Sequence, residues 1–168
     1  MTDPIAGSHQ VTRLSFDTGQ PYEDFRRRYE AVVPTITAQQ LADYAEHKTP
    51  WDEVLAEAAR LAPYGFLIYW RTDMTPVMSL AGDPVRSTAY LMGNHTIAER
   101  MYRHNAAVML YAPLRTMIIG DESGQARFVL DQPSSLFSSF GVPEIDVVGA
   151  ELDDKVLALM KHLDVPTE

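Results

Sequence analysis

The chain has 168 residues, 46% of them hydrophobic and 22% charged, with a formal net charge of −9 and no cysteine. That length buries a single core unaided, and the missing cysteine excludes disulfides, thiolate catalysis and zinc sites built on Cys. The negative charge repels a phosphate backbone, and no apolar run approaches the roughly 18 residues needed to cross a bilayer, so neither nucleic acid nor membrane is an expected partner.

Residues 1–9 are polar and unpatterned and are expected to be disordered. They lack a basic start followed by an apolar stretch, so no signal peptide is expected, and a cytoplasmic location is. Gln10–Phe16 alternates in the manner of a first strand, and the turn Asp17–Pro21 leads into a helix. Phe25, Tyr29, Val32 and Val33 line one face of that helix, and Pro34 stops it. The run Arg26-Arg27-Arg28 on the same helix is expected to be a solvated face. Thr37 and Gln40 form a capping box for a short second helix, and Thr49-Pro50 starts a third with Asp52 and Glu53 in its first turn. The apolar stripe of this third helix is Trp51, Val54, Leu55, Ala58, Ala59 and Ala62.

Gly65–Arg71 is apolar on both faces, with Phe66, Ile68 and Trp70 pointing one way and Leu67 and Tyr69 the other. Thr75–Leu80 and Arg86–Met92 read as further strands. The next helix starts after the turn pair Gly93-Asn94, runs from Thr96 to His104, and carries a capping box of Thr96 with Glu99. Val108–Tyr111 and Leu114–Ile119 are strand-like and separated by Pro113; the second is apolar on both faces. Asp121–Gly124 is a hairpin loop, Ala126–Leu130 returns as a strand, and Gln132-Pro133-Ser134 opens a helical turn holding Leu136, Phe137 and Phe140. Gly141-Val142-Pro143 breaks it, and the last helix, near Val147–Leu163, stripes Val148, Leu152, Val156, Leu159 and Leu163. Helices interleaved with hairpin-connected strands predict an α+β fold, one domain over 10–168 with a mostly antiparallel sheet packed by helices. Two strands apolar on both faces are explained by further helices or by a second subunit, and a homodimer is the expectation.

No metal cluster, nucleophile elbow or phosphate loop occurs, so no metal or cofactor is expected. His95 stands in the first turn of a helix, where the positive dipole end favours the neutral ring. It is the candidate catalytic residue, set against a cap residue with no chemistry. His104, nine positions on, is the wrong spacing for a metal pair and suits the helix end. Arg115 shares a strand face with Met117 and Ile119, which predicts a guanidinium flanked by burial and in need of an anion. That anion is a carboxylate of Glu99, Asp131 or the last helix, or a ligand. With the concentration of Met and aromatic residues around the central strands, Asn94, His95, Arg115, Tyr90, Tyr111 and Met117 form the candidate ligand-binding set. The adjacent carboxylates Asp153-Asp154 and Asp121-Glu122 point apart and do not make an acid–base pair.

Gly93-Asn94, Pro113-Leu114-Arg115, the hairpin Asp121–Gly124, Asp131-Gln132-Pro133 and the amphipathic last helix follow one another in the order of the DUF302 family, proteins of unknown function. The chain resembles that family over about Tyr64–Leu163, and more loosely over Val11–Val33. His95 stands where the family usually has proline, and the helical segment near 34–62 is longer than the usual connection. The resemblance implies an α+β fold and dimerisation and supplies no catalytic residues. Two functions are compatible with these features. One is a dimeric binding module for a small apolar or carboxylate-bearing molecule; the other is a cofactor-free isomerase, lyase or hydrolase using His95 and Arg115.

Overall fold

Alternation with period two along the central strands decides which side of the sheet is covered. The computed structural model describes residues 6–167; the expectation for residues 1–9 lies outside them at 1–5. Strands β1 (Arg13–Pro21), β2 (Leu67–Asp73), β3 (Ser87–Gly93), β4 (Leu114–Gly120) and β5 (Gln125–Asp131) form one antiparallel sheet in the order β1-β5-β4-β3-β2. Tyr90, Met92, Leu114, Ile118, Phe128 and Leu130 point to one face and are buried. Helix α1 (Tyr22–Val32) lays Phe25 and Tyr29 on this face, with ring centroids 6.3 Å and 5.5 Å from Phe128. The long helix α7 (Pro143–His162) adds Ile145, Val148, Leu152, Val156 and Leu159 to the same core. The fold is α+β, as the element pattern predicts.

The opposite face carries the alternate residues of these strands, Leu91, Arg115, Met117 and Val129 among them, and these are half-buried or exposed. Leu114–Ile119 is therefore covered on one face only, against the expectation of two. Helices α2 (Ala38–Glu46) and α3 (Trp51–Leu61) pack instead at the β2 end, around a small second core of Ile36, Ala62 and Leu67. The chain entering α2 makes a parallel bridge from Thr35 to Ile68. On α3 only Val54 and Ala58 are buried, while Trp51 and Leu55 are each 44% exposed, so the expected stripe is half wrong.

A bulge in β2 explains a further departure. Ile68 pairs with Met92 and Trp70 with Leu91, so Tyr69 is the extra residue. An extra residue reverses the facing of everything after it. Trp70, expected beside Ile68, is turned to the open face and is 48% exposed. Arg71 is turned toward the helices, where it pairs with Glu30 at 2.6 Å.

Other boundaries moved for local reasons. Thr75–Leu80 is not a strand; helix α4 (Thr75–Ser79) forms there because Pro76 suits a first turn and the Asp73 carboxylate accepts the Thr75 N–H at 2.9 Å. The expected strand Val108–Tyr111 is instead the end of a 3₁₀ turn (Ala106–Leu110) with Tyr111 as its C-cap and Asn105 as its N-cap, whose side chain accepts from the Ala107 N–H. Helix α5 (His95–Tyr102) is capped by Asn94, not by Thr96 with Glu99. Strand β1 runs on through the expected turn, with its irregularity at Gly19, whose φ of 66° favours glycine. Helix α6 (Pro133–Phe137) stands as read, and α7 starts at Pro143, which the sequence reading assigned to the break. The arginine run on α1 is neutralised locally: Arg26 pairs with Glu23 and Glu30, Arg27 with Asp24, and Arg28 with Asp164.

Candidate functional site

The turn Gly93-Asn94 joins β3 to α5 and builds one wall of a cavity. Asn94 holds the helix start: its side-chain oxygen accepts from the Thr96 N–H and hydroxyl at 2.9 and 2.7 Å, and its Nδ2 donates to Gly65 O at 3.2 Å. These bonds commit its polar atoms to structure. Gly93 is needed for closeness; a Cβ there would lie 3.1 Å from Pro113 Cβ and 3.2 Å from its Cα. Pro113 thereby packs against the end of β3 and closes one side.

The cavity measures about 290 Å³ and lies between the two cores. From the larger come Phe66, Met101, Leu114, Phe137 and Leu152; from the smaller, Leu41 of α2 and Tyr69. Ile97 and Ala98 of α5 complete an almost wholly apolar wall. His95 is the exception. Tyr69 Oη accepts the His95 backbone N–H at 2.8 Å and also lies 2.8 Å from Nδ1. The Tyr44 ring of α2 is tilted against the imidazole at 5.9 Å. Nε2 is buried and has no hydrogen-bond partner among the described residues. Burial holds the imidazole below the usual histidine range, with Glu57 pulling weakly the other way, so the ring is neutral at pH 7. The sequence reading reached the same neutral ring from the helix dipole alone. Burial also pushes the Tyr69 phenol up to about 12, offset in part by the bond from the His95 backbone.

The remaining candidates do not gather here. Tyr90 is buried beneath α1 and donates to Glu30 at 2.9 Å. Tyr111 packs edge-on against Phe137 and Phe140 at 6.2 and 5.9 Å, with its hydroxyl 3.3 Å from His9 Nε2. Leu114 lines the cavity, so Arg115, next along the strand, stands on the other face beside Met117. Arg115 is exposed, not flanked by burial, and no ion pair reaches it among the described residues. Asp131 pairs with Arg13 and Glu99 with Arg103 instead. Arg13, Trp70, Leu91, Arg115, Met117 and Val129 line a more polar hollow of about 380 Å³ on that open face. Asp153 accepts from the Ser134 N–H and hydroxyl and from Gln132, and so holds α6 to α7. No group of three or more His, Cys, Asp or Glu able to hold a metal occurs among the described residues.

Sequence reasoning missed Tyr69, Leu41 and Ala98. Tyr69 was legible only as core; a buried phenol demands a partner, but nothing in the sequence names His95 as that partner. Helix α2 covers the cavity while burying no residue fully. Such an element opens at little cost. Amide exchange in 38–46 is expected to be at least about a hundredfold faster than at Thr116–Ile118 in the centre of the sheet. Equal protection would show that α2 does not open separately.

The model of the family "Domain of unknown function DUF302" matches residues 45–163, beginning earlier than the resemblance and taking in α3. No curated protein matches the chain. Among solved structures, the crystal structure of an uncharacterized conserved protein DUF302 from Bacillus stearothermophilus is similar, with a TM-score of 0.61 and 14% identity. The likeness covers 91% of this chain and 97% of that one, and at this identity it bears on the fold alone. Among the described residues no helix is long and apolar enough to cross a membrane.

Proposed function

We propose that this chain, which belongs to the DUF302 family, is a dimeric binding module that holds one small apolar molecule per subunit beside His95. The observation that carries the reading is an apolar cavity of about 290 Å³ with one buried, unpartnered nitrogen in its wall. Apolar enclosure with few placed polar groups is the usual constitution of a small-molecule site. A carboxylate-bearing ligand has less support, because Arg115 stands outside the cavity. Of the expected inserted segment 34–62, residues 34–44 lie ahead of the stretch that the family model matches, and helix α2 acts as the cover. The dimer reading rests on the open face of the sheet. There Trp70, Leu91, Met117 and Val129 lie among Arg13, Arg115, Arg127, Asp17 and Asp131. Charges of both signs on this face let two copies approach despite a net charge of −9. The cysteine-free composition fits a cytoplasmic location.

A second reading, a cofactor-free enzyme, is favoured by the hydrogen bond between Tyr69 and His95. A neutral imidazole poised by a phenol is able to move a proton. Arg115 takes no part in that version. Native mass spectrometry of freshly purified protein tests the main reading. A doubled mass with a small adduct that is lost on acid unfolding is expected. A single-subunit mass would sink the dimer; a bare mass that takes up no added cumene would sink the binding site.

A further inference from the structure

We infer that the molecule held in this cavity presents a hydrogen-bond acceptor, a carbonyl, ester or ether oxygen on an apolar frame, to the Nε2–H of a neutral His95. The inference rests on the binding reading above and deepens it. Tyr69 Oη contacts two nitrogens of one residue, each at 2.8 Å. The backbone N–H only donates, so the phenol oxygen accepts there. The phenol proton then has Nδ1 as its acceptor, and this arrangement satisfies all three groups. With Nδ1 accepting, the neutral ring carries its proton on Nε2. The opposite tautomer would aim two donors at one phenol oxygen and strand the phenol proton. Nε2–H is therefore a donor prepared and left unmatched among the described residues. A buried donor without an acceptor is costly, and a ligand that supplies one recovers that cost.

The rest of the wall sets the frame. Ile97, Ala98, Met101, Leu114 and Phe137 offer no polar side-chain group, so a second polar atom on the ligand would be desolvated without return. The volume stands at the lower end of ligand pockets, which run from about 300 to 1,000 Å³. It suits a monocyclic or short-chain molecule. The titratable groups around the imidazole are Tyr69 of β2, Tyr44 of α2 and Glu57 of α3.

Two measurements test the assignment. In the wild-type protein, long-range proton–nitrogen correlations of the His95 ring should show the proton on Nε2; a proton on Nδ1 would overturn the inference whatever binds. The second uses acetophenone and cumene, near-isosteres in which a methyl group and a hydrogen replace the doubly bonded carbonyl oxygen. The ratio of acetophenone to cumene affinity should be about three- to tenfold higher in the wild type than in His95→Phe, the worth of one net hydrogen bond, because cumene, the more apolar probe, gains more from burial alone in both. Taking the ratio of the two affinities within each protein removes any general effect of His95→Phe on the cavity, whose wall includes that residue. Should that variant fail to fold, Tyr69→Phe serves, since loss of the phenol should mix the tautomers in the nitrogen spectrum and shrink that ratio. The same affinity ratio in the wild type and in His95→Phe would leave an apolar pocket and remove the acceptor assignment. Failure of both probes to bind would overturn the assignment and the binding reading together.

Discussion

Raising the pH above 10 is expected to unfold this protein cooperatively, with the buried tyrosines ionising as it opens. Burial raises the Tyr29 and Tyr90 phenols above the ordinary value of 10.0; for Tyr90 the carboxylate of Glu30 raises it further. Burial likewise raises Tyr22, Tyr44 and Tyr69. A phenol whose pKa is higher in the folded chain stabilises the fold fully below the unfolded pKa and progressively less above it. For the fully buried Tyr29 and Tyr90, unfolding releases a group that ionises near 10, so each removes about 1.4 kcal/mol per pH unit between that point and its folded pKa. Tyr29 and Tyr90 together remove about 2.7 kcal/mol per unit, against a total stability on the order of 5–15 kcal/mol. Far-ultraviolet circular dichroism and phenolate absorbance followed together should show one shared transition a few units above pH 10. Tyr29→Phe should move that transition upward. It should cost no more than about 1 kcal/mol at pH 7: the Thr116 hydroxyl beside the Tyr29 phenol lowers its pKa against burial, but neither hydroxyl makes a hydrogen bond of normal geometry among the described residues. Phenolate absorbance that rises smoothly near pH 10 without loss of secondary structure would refute the expectation.

What the sequence made legible follows from which forces act locally. The stripe of α7 is a burial periodicity written in neighbouring residues, and the period-two facing of β4 was legible too, though which of its faces is covered was not. The Thr37–Gln40 box and the helix start at Asn94 are capping signals completed within a few positions. Three failures have a different origin. The β2 bulge arises from pairing with β3, and no residue in Leu67–Asp73 announces it, so Trp70 was assigned to the wrong face. The bond between Tyr69 and His95 spans 26 residues of chain and depends on where the bulge re-aims the phenol. Arg115 was assigned correctly to the face of Met117 and Ile119. Its burial was misjudged because apolar composition does not say whether anything covers that face. The candidate site was thus half legible: the helix carrying His95 was visible, and the strand residue that orients it was not.

Replacing Ala98 by phenylalanine is expected to abolish uptake of small apolar molecules while leaving the fold intact, whereas the same change at Ala126 should do the reverse. Ala98 lies on α5 and lines the cavity of about 290 Å³; Ala126 lies on β5, 2% exposed within the packed core. A cavity of about 150 Å³ already accommodates a benzene-sized ring, so at Ala98 the new ring has space to enter. It gains burial there without displacing backbone, and stability should stay within about 1 kcal/mol of the parent. At Ala126 the ring meets side chains at interior density, and overpacking should cost roughly 1–3 kcal/mol or more. Cumene titrations and urea melts on both variants separate the two effects. Ala98→Phe should lose more than tenfold in cumene affinity with an unchanged midpoint, and Ala126→Phe should keep binding with a lowered midpoint. If Ala98→Phe is instead destabilised like Ala126→Phe and still binds cumene, the residue does not face the binding space, and the wall assigned to α5 is wrong.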